Sequence, residues 1–175
     1  YFVDASSKVT TYVKNDGTVW SIGNNSSGAF GDGTSGNSSS FVPVQMLGIN
    51  NAVRVATTFA NNLVLLDDST LMGVGFNFAG MLGFGQSTTS TLTPLPVPGL
   101  PKIIDIKANT GGALALAANG DVWAMGRDGN NNAQYTPYKL SNLSNIVAIS
   151  GCEDGYFFYM LDADKNCYSW GLNNH

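Results

Sequence analysis

Asp16-Gly-Thr-Val-Trp-Ser-Ile-Gly23 decides the fold, because its pattern of turn residues, apolar residues and a final glycine returns three more times. The later copies are Asp68-Ser-Thr-Leu-Met-Gly-Val-Gly75, Asn119-Gly-Asp-Val-Trp-Ala-Met-Gly126 and Asp164-Lys-Asn-Cys-Tyr-Ser-Trp-Gly171. The four final glycines lie 52, 51 and 45 residues apart. A repeat of this period indicates an array of similar units, each packed against its neighbours.

Each copy belongs to a longer unit made of short apolar runs. Two runs precede it, such as 52–56 and 63–66, and the second run ends in a turn of the kind Asn15-Asp16-Gly17. Such turns between apolar runs favour β-hairpins, because glycine tolerates a positive φ. A Pro-containing segment such as Val42-Pro-Val-Gln45 follows, and Pro within a strand is typical of a sheet edge. The sequence therefore predicts an all-β protein with roughly four strands per unit.

Charge and composition exclude several classes of protein. The chain has 175 residues, of which 8 are basic and 12 acidic, and its net charge is −4. The basic residues are scattered, whereas phosphate binding needs clustered Lys and Arg, so we expect no nucleic-acid partner. No apolar run reaches the roughly 18 residues of a membrane span. The chain has one histidine, His175, which excludes multi-His metal sites and most histidine-assisted catalysis within it.

Two of the glycine-anchored segments continue into a second, longer motif. Ile22-Gly-Asn-Asn25-Ser-Ser-Gly28-Ala-Phe-Gly31-Asp-Gly33 aligns with Val74-Gly-Phe-Asn77-Phe-Ala-Gly80-Met-Leu-Gly83-Phe-Gly85. This pattern resembles the repeat of the regulator of chromosome condensation (RCC-type) family, and Trp170-Gly171-Leu-Asn173 matches its first part best. The resemblance implies a β-propeller of four-stranded antiparallel blades, usually seven in that family. It places Asn25, Asn77 and Asn173 as side chains that cap a loop by bonding to local backbone.

The sequence also departs from the family pattern. The third unit has Asp128 in place of the Asn and lacks the second glycine cluster. The histidine usual on the second strand is absent, and Asn62 and Gly112 lie near its place. None of the residues that serve nucleotide exchange in that family can be located here, and a shared fold does not transfer a function.

The repeat divides the chain into units of approximately 1–51, 52–102, 103–145 and 146–175. At about 51 residues per unit the chain holds about 3.4 units, whereas seven units need about 357 residues. An open array would expose apolar blade faces at both ends, so we expect a partial propeller that belongs to something larger. A fragment of a longer polypeptide is the preferred explanation. A subunit that closes a ring with another copy and a small four-bladed ring are the alternatives.

Weaker motifs have simpler explanations. Gly31-Asp-Gly33-Thr-Ser-Gly36 formally matches a dinucleotide-binding pattern, but the residues after it are poor helix formers, so we expect no cofactor. Asp162-Ala-Asp164-Lys-Asn166 resembles the start of a calcium loop, yet it lies where the other units have a hairpin turn. Cys152 and Cys167 are predicted to be separate thiols, because a strand would hold them roughly 16 Å apart.

These observations favour a non-enzymatic binding or structural module that presents loops on a propeller, as part of a larger secreted or cell-surface protein. No set of acid, base and nucleophile is visible, and the pairs Asp67-Asp68 and Glu153-Asp154 fall in turns or loops. The expected partners are another protein, additional copies, or the remainder of the propeller. An intracellular propeller of the guanine-nucleotide-exchange type and a proteinaceous hydrolase inhibitor are the alternatives, and the first would be cytoplasmic. Phe76, Phe78 and Met81 mark either an inter-blade plug or a contact patch. The candidate contact residues, which we expect to be exposed in loops, are Asn24, Asn25, Phe30, Phe76, Phe78, Met81, Arg127, Asp128, Glu153 and Asp154.

Overall fold

The computed structural model describes residues 1–36, 39–58, 60–86, 88–151 and 155–172, and these residues form four antiparallel sheets. Blade 1 contains β1 (Phe2–Ala5), β2 (Val9–Val13), β3 (Val19–Asn24) and β4 (Ser39–Gln45). Blade 2 contains β5 (Ala52–Thr57), β6 (Asn61–Leu66), β7 (Leu71–Phe76) and β8 (Ser90–Pro96), with a short 3-10 turn at Phe78–Gly80. Blade 3 contains β9 (Ile103–Ala108), β10 (Gly112–Ala117), β11 (Val122–Arg127) and β12 (Ala133–Lys139). Blade 4 contains β13 (Ile146–Gly151), β14 (Phe157–Asp162) and β15 (Cys167–Gly171).

Each blade is a meander in which every strand pairs with the next along the chain. The predicted hairpin turns are present between the second and third strands. In the first turn Gly17 has φ +75°, and the carboxylate of Asp16 accepts a hydrogen bond from the backbone N–H of Thr18 at 3.0 Å. The turn predicted at Asp162 is also confirmed, because this carboxylate accepts the backbone N–H of Asn166 at 2.8 Å.

The four second strands share one register, which the repeated glycine defines. The residues opposite the glycines are Val9, Asn61, Gly112 and Phe157. Because successive side chains of a strand point to opposite faces, alternate residues of each second strand face the preceding and the following blade. Leu63 and Leu65 of blade 2, for example, pack in one cluster with Ala113 and Ala115 of blade 3.

The core therefore lies between the blades. Leu114 and Leu116 of blade 3 pack with Phe158 and Met160 of blade 4 in a second cluster. The first strands of successive blades contact one another, whereas the described fourth strands lie at the outside, where each of their residues is exposed or half-buried. The predicted all-β partial propeller of four-stranded antiparallel blades is confirmed.

Packing also accounts for the large side chains that recur on the third strands. Met72, Trp123 and Tyr168 occupy one equivalent position, and each packs against an inter-blade cluster. Val74 and Met125, two residues further along, are fully buried. Trp123 and Tyr168 thus fill the space between blades, whereas Trp20 at the same position in blade 1 is half-buried under the ammonium group of Lys14.

Candidate functional site

The candidate contact residues that the structure describes lie at one edge of the sheets, where β3, β7, β11 and β15 end. We call this edge the loop rim; its described loops are loop 1 (residues 25–36), loop 2 (77–86) and loop 3 (128–132). Hydrogen bonds between blades hold the loops on the same side. The Asn62 side chain donates to the carbonyl oxygen of Ala29 in loop 1 at 2.8 Å. The side chain of Asn109 donates to the carbonyl oxygen of Phe157 at 3.3 Å.

Loop 1 is organised by Asn25. Its amide oxygen accepts the backbone N–H of Phe30 at 3.0 Å, and its amide nitrogen donates to the carbonyl oxygen of Thr34 at 3.1 Å. The side chain therefore connects both halves of the loop. This confirms the predicted role of Asn25 in capping a loop, whereas Asn173, for which the same role was predicted, lies outside the described residues.

Loop 2 repeats this arrangement around Asn77. Its amide oxygen accepts the backbone N–H of Leu82 at 2.8 Å, and its amide nitrogen donates to the carbonyl oxygen of Thr88 at 2.7 Å. Three equivalent glycines of each loop have φ between +68° and +86°, a region that favours glycine; they are Gly28, Gly31 and Gly33 in loop 1, and Gly80, Gly83 and Gly85 in loop 2. Loops 1 and 2 are therefore equivalent structures in successive blades.

Both glycine loops lie on the outer strand of the following blade. The backbone N–H of Gly33 donates to the carbonyl oxygen of Leu92 at 2.9 Å, and that of Gly85 donates to the carbonyl oxygen of Tyr135 at 2.8 Å. A methyl group on Gly80 would collide with the carbonyl oxygen of Gln134. The loops thus join neighbouring blades as well as forming the loop rim.

Loop 3 is shorter and is organised by Asp128. Its carboxylate accepts the backbone N–H groups of Asn130 and Asn132, each at 2.9 Å. Burial raises the pKa of this carboxyl, but the hydrogen bonds from Asn132 and Asn130 outweigh it and hold the pKa below its usual value of 3.8. Asp128 therefore organises a loop, as Asn25 and Asn77 do, but over fewer residues.

Phe76, Phe78 and Arg127 form an exposed cluster on the loop rim, which we call the aromatic patch. The two rings stack with centroids 5.9 Å apart, and both are partly exposed. The guanidinium carbon of Arg127 lies 5.1 Å from the centroid of Phe78, and its Nη1 donates to the backbone and side-chain oxygens of Asn131, both at 2.9 Å. The patch therefore spans blades 2 and 3.

A groove of about 200 Å³ adjoins the aromatic patch. Its lining combines aromatic rings with amide and hydroxyl groups, mainly Phe76, Phe78, Gln86, Thr88, Thr89 and Tyr135. Tyr135 and Gln86 were not among the candidates, because their nearness to Phe78 depends on how loop 2 folds against β12. The combination of exposed rings and a polar groove suits recognition of a protein surface.

Three candidates predicted to be exposed are buried instead. Phe30 packs with Val9 and Ala29 beneath loop 1, and Met81 lies beneath loop 2 within 3.9 Å of the Asn61 amide nitrogen. Asn25 is buried because its hydrogen bonds hold it inside the loop. Asn24 is half-buried and accepts the backbone N–H of Ser26 at 2.9 Å. Glu153 and Asp154 lie outside the described residues.

A buried polar cluster beneath the loop rim was not predicted. The Thr57 hydroxyl donates to the Asn62 side-chain oxygen at 2.7 Å, and the Thr58 hydroxyl donates to that of Asn61 at 2.9 Å. Asn61 in turn donates to the carbonyl oxygen of Phe76 at 2.8 Å, directly below the aromatic patch. The pair Asn61-Asn62 at the start of an apolar strand is the sequence signal for this cluster.

The remaining motifs take structural roles or fall outside the described chain. Strand β4 begins at Ser39, three residues after Gly36, where a dinucleotide site would need a helix. The Asp162 carboxylate also accepts the Tyr168 hydroxyl at 2.9 Å, so its lone pairs serve the turn. Cys167 is an exposed thiol on β15, and the predicted separation from Cys152 concerns a residue outside the described ranges. Among the described residues, no group of three or more potential metal ligands is found.

Comparisons with known proteins agree with this architecture. The structure superimposes on human WBSCR16 with a TM-score of 0.81 and 21% identity, covering 97% of this chain and 46% of that chain. It superimposes on yeast RCC1 (Prp20), solved bound to Kap60, with a TM-score of 0.80 and 17% identity, covering 97% and 43%. A further Saccharomyces cerevisiae Prp20p structure, described with its binding to Gsp1p and histones, gives a TM-score of 0.78 over 99% of this chain and 44% of that one.

The proteins that match this chain in sequence are much longer than it is. BTB/POZ domain-containing protein 1 of Schizosaccharomyces pombe is 25% identical over 146 residues, which are 74% of this chain and 11% of that protein. The human probable E3 ubiquitin-protein ligase HERC6 is 27% identical over 133 residues, covering 70% and 13%. No protein-family model matches the chain. The chain thus spans about a tenth of these relatives and under half of the propeller structures.

Fold and repeat together define the class: the chain is a partial β-propeller whose fold is similar to those of WBSCR16 and yeast RCC1. The resemblance of its glycine-anchored segments to the RCC-type repeat is confirmed by the propellers on which it superimposes. In the described part of the chain, no helix is long and apolar enough to cross a membrane.

Proposed function

We propose that the chain is a non-enzymatic protein-binding module whose contact surface is the aromatic patch. The observation that carries this proposal is the stacked, exposed pair of Phe76 and Phe78 with Arg127 against it. Aromatic and Arg side chains supply much of the binding energy at protein interfaces, whereas exposed rings cost solvation in a free monomer. The loop that carries Phe78 is fixed by Asn77, so a partner would meet a preorganised surface.

Two further observations support protein recognition. The propellers on which the chain superimposes include one bound to Kap60 and one described with its binding to Gsp1p and histones. The groove beside the patch presents Gln86, Thr88 and Tyr135, which can bond to a partner backbone. The same neighbours favour an intracellular setting over the secreted one expected from composition.

Paired substitutions test the aromatic patch. The double variant Phe76→Ser/Phe78→Ser removes both rings, and Phe41→Ser removes an almost fully exposed ring on β4 of blade 1, outside the aromatic patch. Proteins that bind the wild-type chain are identified by affinity purification, and each dissociation constant is then measured with purified partner. We expect the double variant to weaken binding at least tenfold and Phe41→Ser to leave it unchanged. The proposal would be overturned if both variants weakened binding equally, or if neither changed the dissociation constant.

A second candidate function is regulation of a small GTPase, as in the exchange-type alternative. Its support is the neighbour described with its binding to Gsp1p. The test is release of labelled guanine nucleotide from a panel of small GTPases, with the double variant and Phe41→Ser run in parallel. Specific release that is lost in the double variant would replace a passive binding role by an exchange activity. Release from none of the GTPases would exclude this candidate.

A further inference from the structure

The groove beside the aromatic patch lies between blade 2 and the outer strand of blade 3. Phe76 and Phe78 contribute two aromatic rings from blade 2, and Tyr135 of β12 contributes a third from blade 3. The planes of the two phenyl rings are nearly parallel, with an angle of 15° between them. The backbone N–H of Gly85 donates to the carbonyl oxygen of Tyr135 at 2.8 Å, which fixes loop 2 against β12. The groove therefore presents three rings in a defined arrangement.

The backbone carbonyl groups that line this groove are already hydrogen-bonded. The carbonyl oxygen of Phe76 accepts the Asn61 side chain at 2.8 Å, and that of Thr88 accepts the Asn77 side chain at 2.7 Å. Backbone N–H groups donate to the carbonyl oxygens of four further lining residues, which are Asn77, Phe78, Thr89 and Tyr135. An added β-strand needs main-chain acceptors for its own N–H groups. Among the described lining residues, few such acceptors remain.

Side-chain donors in the groove, by contrast, are not used within the protein. Gln86 carries an amide NH₂ group, and Thr88, Thr89 and Tyr135 each carry a hydroxyl group. Within the described ranges, none of these four side chains makes a hydrogen bond to another residue. Gln86 and Thr89 are also exposed. The groove thus combines aromatic rings with hydrogen-bond donors that a ligand can use.

A proline-rich segment in the polyproline II conformation has the complementary chemistry. Proline has no backbone N–H, so its main chain offers acceptors only. The polyproline II backbone makes no internal hydrogen bonds, which leaves its carbonyl oxygens free to accept from the side chains of a groove. Segments of this kind dock in grooves lined by aromatic residues. A helix already uses most of its carbonyl groups internally, so it would leave the donors of this groove unpaired.

We propose that the groove beside the aromatic patch binds a proline-rich segment of the partner protein in the polyproline II conformation. This rests on the proposed function, because it identifies the kind of segment that meets the aromatic patch. Proline rings pack against Phe76, Phe78 and Tyr135, while the Gln86 amide and the Tyr135 hydroxyl donate to peptide carbonyl oxygens. Because polyproline II has three residues per turn, a Pro-x-x-Pro pattern places both prolines on the side that faces the rings.

A peptide array tests the occupant. Decapeptides that contain Pro-x-x-Pro, with x varied, are compared with the same decapeptides in which both prolines are replaced by alanine. We expect a subset of the Pro-x-x-Pro peptides to bind the wild-type chain at least tenfold more tightly than their alanine counterparts, as measured by fluorescence anisotropy. Absence of binding, or equal binding of the two sets, would overturn the inference.

Single substitutions test the donors without removing the rings. Tyr135→Phe removes only a hydroxyl, and Gln86→Ala removes only the side-chain amide. We expect each to weaken the binding of the best Pro-x-x-Pro peptide by about fivefold, the effect of one neutral hydrogen bond. Tyr159→Phe, which removes a hydroxyl from β14 outside the groove, is the matched control and should bind as the wild type does. If all three variants bound the peptide with wild-type affinity, the inference would be wrong.

Competition separates this inference from the proposed function. The best peptide should displace a partner that was purified with the wild-type chain and that fails to bind Phe76→Ser/Phe78→Ser. If such a partner is not displaced, the aromatic patch remains a protein-binding surface, but its occupant is not a proline-rich segment. If the peptide binds in the groove while no partner depends on the two phenylalanines, the proposed function fails instead.

Discussion

Replacing Asn77 by Ala is expected to destabilise the protein and to disrupt the aromatic patch in the same step. The change removes the oxygen that accepts the backbone N–H of Leu82 and the nitrogen that donates to the carbonyl oxygen of Thr88. Leu82 is completely buried, so water cannot replace the lost acceptor. Phe78 is next to Asn77 in sequence and loses the loop that orients it.

The magnitude follows from the two bonds. A buried donor left without an acceptor costs about 1–3 kcal/mol, and a second lost hydrogen bond adds about 1 kcal/mol. The free energy of unfolding should therefore fall by about 2–4 kcal/mol in Asn77→Ala. Asn77→Asp keeps an acceptor for the N–H of Leu82 but cannot donate to Thr88, so its loss should be smaller.

Urea unfolding followed by circular dichroism measures these differences. Asn25→Ala is the matched comparison, because Asn25 makes the equivalent bonds in loop 1, whereas Phe78 is in loop 2. Both Ala variants should lose similar stability, whereas only Asn77→Ala should weaken partner binding under conditions where each remains folded. A loss below about 0.5 kcal/mol for Asn77→Ala would refute the argument from a buried unsatisfied donor.

Three further substitutions test the contacts between blades and one hairpin turn. Gly80→Ala should lower the free energy of unfolding by at least about 2 kcal/mol, because φ is +83° and the added methyl group meets the carbonyl oxygen of Gln134. Gly99→Ala, where φ is +78° but the space around the residue is open, should lower it by only about 1 kcal/mol. Urea unfolding measures both changes. Asn62→Leu should cost about 1–3 kcal/mol by the same assay, because it removes the bond from blade 2 to loop 1. Hydrogen bonds, led by that from the Asn166 side chain, lower the pKa of Asp162 below 3.8 in the folded protein. The ionised carboxylate therefore stabilises the fold above pH 3.8, and this contribution is lost as the pH falls through the folded pKa. Asp162→Asn should reduce the dependence of the urea unfolding midpoint on pH in this acidic range.

The fold was predictable because the repeat supplies register as well as strands. The glycines that end the four copies are the residues paired with the first position of each second strand, so one motif fixes equivalent faces in all blades. Asn25 and Asn77 were predictable as caps because a short amide side chain before a glycine-rich loop has backbone groups within reach.

The candidate site was predictable only in part. The sequence marks Phe30, Phe78 and Met81 alike as apolar residues in polar loops. Their different burial depends on how each loop folds over the adjacent blades, so Phe30 and Met81 lie beneath their loops while Phe78 remains exposed. The cluster of Asn61 and Asn62 depends on contacts with loop residues distant in sequence, such as Ala29, and no local pattern contains that information.

The bonds between blades have a consequence for how the chain unfolds. Gly33 and Gly85 join loops 1 and 2 to the outer strand of the next blade. At the opposite edge of the sheets, the backbone N–H of Ala52 donates to the carbonyl oxygen of Gly17, and that of Ile146 donates to the carbonyl oxygen of Gly120 at 3.2 Å, so blades 3 and 4 are joined as well. Each pair of neighbouring blades also shares an apolar cluster. Loss of one blade would expose the core face of its neighbour, so we expect neighbouring blades to unfold together rather than one at a time.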